Sequence, residues 1–155
     1  MCIFMIRKIS RWYESDIRGA ATISQVNGDP GWKSYEFYQL SSKSGTLQKF
    51  LKFFGYAKQF PEEIGSDIFD ARWKQLSKMD IIFIQAQLQF IEQTYFKPLT
   101  SYVEQKGIKR MVAIDEDLFS ISVQHENSKE IVNNALKKLK LEFSTIDIIN
   151  ALYDA

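Results

Sequence analysis

After Gly45 large apolar side chains return every three or four residues, and this spacing constrains the fold more than anything else in the chain. Thr46 can cap a helix through about Phe54, with Leu47, Phe50, Leu51 and Phe54 on its apolar face. Ser66 or Asp67 starts a second, carrying Ile68, Phe69, Trp73 and Leu76. Asp80 begins a long apolar helix through Phe83, Ala86, Gln87, Phe90, Ile91 and Thr94, which Pro98 ends or kinks. Leu99 to Gln105 continues as helix and stops at Gly107, whereas 108–114 is ambiguous. Asp117–Gln124 and Lys129–Leu139 read as further helices, and Ser144 with Asp147 as a capping box opening one over Ile148, Ile149 and Leu152.

The first 45 residues follow other rules. Ile3, Phe4, Ile6, Ile9 and Tyr13 predict a helix over 3–14. Gly19, Gly28, Pro30 and Gly31 make 15–33 loop and turn. Ser34–Leu40 alternates as a strand, with Tyr35, Phe37 and Gln39 on one face and Ser34, Glu36, Tyr38 and Leu40 on the other. The expected architecture is one mainly α domain (α+β) over 1–155, with a small early β-hairpin and room for a minor second lobe.

At 155 residues the chain can bury a proper core. Its twelve Phe, seven Tyr and three Trp exceed what so small a core needs, which predicts that some rings line a surface groove. Cys2 is the sole cysteine and His125 the sole histidine, which excludes an intrachain disulfide, a cysteine zinc site and His-rich metal centres. No metal or other cofactor is expected. Formal charge is +1 overall, but residues 1–60 hold nine Lys/Arg against four Asp/Glu, and residues 61–155 hold eleven against fifteen. The basic first part suits an anionic polymer, while the lack of a dense Lys/Arg stripe argues against nucleic acid. No apolar run is long enough to span a membrane, and Arg7, Lys8 and Arg11 fall on the wrong side of Met1–Met5 for a secretion signal.

Two carboxyls stand in unlike surroundings. Glu14 follows Trp12 and Tyr13 at a helix end, where aromatic surface would favour its neutral form and raise its pKa; the alternative is a solvated helix-end glutamate. Asp29, between Gly28 and Pro30, is either ionised and ready to activate water or a plain turn residue. A pair of this kind, facing across a groove, is the equipment of glycosidic cleavage. Separations of roughly 6.5–9.5 Å imply inversion and of about 5 Å retention. Gly28-Asp29-Pro30-Gly31 lacks the Gly-Lys-Ser/Thr of a phosphate loop, and Asp115-Glu116-Asp117 lacks calcium-loop spacing.

The ordered motifs Tyr13-Glu14-Ser15, Gly28-Asp29-Pro30-Gly31, Ser34-Tyr35, Tyr38-Gln39 and Ser44-Gly45-Thr46 resemble the chitosanase- and lysozyme-like glycoside hydrolases of phage lysins and bacterial cell-wall enzymes. Phe83, Gln87 and Phe90-Ile91 resemble that family's Phe-x-x-x-Gln-x-x-Phe-Ile helix, and Ser122-Val123-Gln124-His125 a segment near its end. The resemblance implies a lysozyme-like fold and hydrolysis of β-1,4 links in peptidoglycan. It makes Glu14 the general acid and Asp29 the base. Trp32, Ser34, Tyr35, Glu36, Tyr38, Gln39 and Gln87 would line the sugar groove, and His125 would be structural. Trp32, Glu36 and Glu126 replace expected glycines, and Tyr95-Phe96 an expected His-Tyr pair. Those departures define the competing expectation, an inactive glycan-binding or protein-interaction module, with a secretion or phage structural protein as partner. A cell-wall enzyme made in the cytoplasm without a signal peptide would need a holin or a dedicated secretion system for export.

Overall fold

The computed structural model describes residues 19–25, 32–35, 38–125, 127–138 and 144–154, with Thr145 described by its backbone alone. The helix expected over 3–14 lies outside the described residues, as do Glu14, Asp29, Glu36 and Glu126. The architecture is mainly α with a small early antiparallel sheet, the fold class the spacing predicts. The described residues group into two compact units, one within 11–90 and one within 91–155.

In the unit of residues 11–90, β1 (Ile23–Gln25), β2 (Lys33–Tyr35) and β3 (Leu40–Ser41) form one sheet in that order. Ser34 pairs with both Ser24 and Ser41, and Tyr35 with Ile23 and Leu40. The single strand expected over 34–40 is therefore two. Gln39, with φ 48° in the left-handed region, turns the chain between them. β1 falls inside the expected loop, because three residues are too few to show a period of two.

α1 (Thr46–Phe53) buries Leu47, Phe50 and Leu51 as its spacing predicts. Its cap is not Thr46 but Gly45, at φ 80°. The Thr46 hydroxyl instead accepts the backbone N–H of Ser41 at 2.8 Å and so ties β3 to the helix. A 3-10 turn at Tyr56–Gln59 leads to α2 (Asp67–Met79), capped by Ser66, whose hydroxyl accepts from Phe69 N at 3.2 Å. α3 (Ile81–Ile91) opens on Asp80, whose carboxylate accepts from the N–H groups of Ile82 and Phe83.

Among the described residues, many of this unit's rings pack into its core. Trp73 is fully buried between Tyr35 at 5.1 Å and Phe83 at 5.0 Å, and its indole N–H donates to the Ala20 carbonyl at 3.1 Å. Phe50 stands edge-on to Trp73, Phe83 and Phe90, and Phe60 and Phe69 meet at 4.8 Å. Edge contacts of this kind add to the area the rings bury.

In the other unit a π turn at Glu92–Phe96 precedes α4 (Lys97–Gln105), with Pro98 in its first turn. Pro98 neither ends nor breaks the helical run. The wider turn before it relaxes the demand for the i→i−4 bond that proline cannot make. α5 (Val112–Gln124) begins five residues before the expected Asp117, inside the ambiguous stretch. α6 (Ser128–Lys137) and α7 (Thr145–Tyr153) complete the unit, the latter opened by the Ser144–Asp147 capping box. α5 packs on the π turn, α4 and α7, and Phe96 meets Phe119 at 5.3 Å.

Trp73→Ala is expected to cost about 3–5 kcal/mol, the range for emptying a fully buried aromatic site. Urea unfolding followed by circular dichroism measures it. A loss under about 1 kcal/mol would show that the ring cluster does not hold this unit together.

Candidate functional site

The sheet and the start of α2 build a charged constellation. The Lys33 ammonium donates to Asp70 Oδ2 and to the Gly65 carbonyl, both at 2.6 Å. The Tyr35 hydroxyl donates to Asp70 Oδ1, also at 2.6 Å. Asp70 stands on the first turn of α2, where the helix N-terminus favours a carboxylate. Side chains of Lys33 and Asp70 are 19% and 15% exposed, so water screens the pair only weakly. Burial, the bond to Asp70 and the charge of Asp70 all push the Tyr35 hydroxyl well above its usual range. It therefore stays a proton donor, and the network joins β2 to α2.

The expected groove residues fare unequally. Tyr35, Tyr38 and Ser34 are buried, and Gln87 is 0% exposed. Neither amide atom of Gln87 has a hydrogen-bond partner. Gln39 is exposed on its turn. Trp32 is half-buried, its indole N–H donating to Ser41 Oγ at 2.9 Å with the Lys43 ammonium 4.9 Å over its ring. The described residues thus bring Tyr35 and Ser34 together inside the fold and leave Trp32 and Gln39 at its surface. Glu14, Asp29 and Glu36 lie outside them. His125 is exposed at the end of α5.

Lys33 and Asp70 carry no motif, and their partnership spans 37 residues. Only the paired acids in the first turn of α2, Asp67 and Asp70, hinted that one of them had another task.

A second charged cluster lies in the unit of residues 91–155. Arg110 donates to both carboxylate oxygens of Asp115 at 2.8 Å and lies 3.8 Å from Glu104. The two-point bond to Asp115 raises the guanidinium's already high pKa, against the opposing effect of burial. Asp117, two residues on, has an oxygen with no hydrogen-bond partner. Burial and then the charge of Glu116 raise its pKa from 3.8 to about 6. Among the described residues no group of His, Cys, Asp and Glu is placed to hold a metal ion, and no helix is long and apolar enough to cross a membrane.

What the described residues define is a mainly helical fold whose charged networks join neighbouring elements, Lys33, Tyr35 and Asp70 in one unit and Arg110 and Asp115 in the other. Residues 6–155 match the family model described as the type VI secretion system spike protein VgrG3-like C-terminal region, and the chain belongs to that family. It is 31% identical over 158 residues to the type VI secretion system spike protein VgrG3 of Vibrio cholerae, covering 98% of this chain but 16% of that protein.

The family overturns the kinship that the motifs suggested. The ordered Tyr-Glu-Ser, Gly-Asp-Pro-Gly and Tyr-Gln pieces lie here in a chain of the VgrG3-like C-terminal family, not of a family named for lysozyme-like hydrolysis. The expectation of a glycoside hydrolase cutting peptidoglycan is withdrawn with it, and peptidoglycan as partner and cell-wall action go too.

Asp70→Asn leaves Lys33 without its counter-charge and is expected to cost about 2–3 kcal/mol in urea unfolding, below the full value of a wholly buried pair. An unchanged midpoint would make the network incidental. At Asp117 the folded-state pKa lies above the unfolded one. Its stabilising contribution is therefore complete below 3.8 and lost as pH rises through about 6. Asp117→Asn should match the parent near about pH 3.5 and exceed its stability by about 1–2 kcal/mol at about pH 8, a range discounted for the half-exposed carboxyl. Parallel pH profiles for the two proteins would refute this.

Proposed function

We propose that this chain is the C-terminal module of a type VI secretion spike and works through protein contacts. On this reading it is made in the cytoplasm and carried outward with the spike, and its partners are components of that assembly. The observation that carries the proposal is the family match over residues 6–155, nearly the whole chain. A second point supports it: the chain corresponds to only 16% of the length of the Vibrio cholerae spike protein. A module of that proportion is an attachment to a much larger body.

The test is an epitope on the native protein in a bacterium with a working type VI system. The epitope is expected in the culture medium alongside the spike, and absent from it when the secretion system is disabled. Release that continues in the disabled strain, or retention in cells that still export the spike, would overturn the proposal.

A further inference from the structure

We draw no further inference here: the strongest candidate, the apolar corner between α2 and α3 where Met79, Ile81 and Ile82 stand 80%, 63% and 67% exposed, is an unpartnered surface, and nothing in the structure shows what covers it.

Discussion

The indole of Trp73 does two things that few single side chains can combine. Its ring fills the space between a strand residue, Tyr35, and a helix residue, Phe83, while its N–H holds the carbonyl of Ala20 ahead of the first strand. A three-stranded sheet with strands of two or three residues has too little cross-strand contact to stand alone. It persists here because the helices supply the apolar surface it packs on. Asp70, one turn before Trp73 on α2, then fixes the sheet's angle by bonding Lys33 and Tyr35. Packing already resists a one-residue slip, which would turn buried Tyr35 to the other face, and the charge-assisted bonds of Lys33 and Tyr35 to Asp70 add to that resistance.

Tyr35 shows why the same residues were read differently from sequence. A Ser-Tyr pair on a short alternating stretch has the composition of a sugar-binding strand, and the residue types suit that chemistry. Composition does not say which face the pair presents. The sheet is covered by α2, and the hydroxyl that would meet a sugar meets Asp70 instead. Gln87 makes the same point on α3. Its neighbours at four before and three after, Phe83 and Phe90, are core residues, so the helix carries the amide inward with them. Helical spacing had placed all three on one face correctly. It was the resemblance to the hydrolase helix pattern, not this spacing, that implied a groove role for Gln87.

Other features were legible because their determinants are local. Ser66 before Phe69, Asp80 before Phe83 and the Ser144–Asp147 pair each act within one turn of helix, so the sequence window contains both partners. The start of α5 was not legible for the converse reason. Met111 brings no side-chain cap, and the first turn is steadied from outside it by Arg110 gripping Asp115. The cap at Gly45 failed in an instructive way. Thr46 has the right chemistry for a cap, but its hydroxyl is taken by Ser41 across the turn, and the left-handed residue before it does the capping. Where two partners compete for one hydroxyl, spacing does not tell which wins.

The outer face of α2 contrasts with this thrift. Arg72, also exposed on that helix, reaches Glu62 and settles there, as surface charges commonly do. Ile68 has no such accommodation, although its place in the sequence, directly before Phe69, reads as core. The reason is geometric: 100° separates adjacent helix positions, so the turn that points Phe69 at Trp73 points Ile68 away from it. An isoleucine exposed by that rotation alone would be ordinary, since scattered apolar residues are common on surfaces. Met79 emerges along nearly the same line eleven residues later, with Ile82 beyond the corner, but exposed Arg72, one turn on from Ile68, stands between them. The arginine held by Glu62 within that line divides its two aliphatic ends, so they stand as separate exposed residues rather than as one apolar patch.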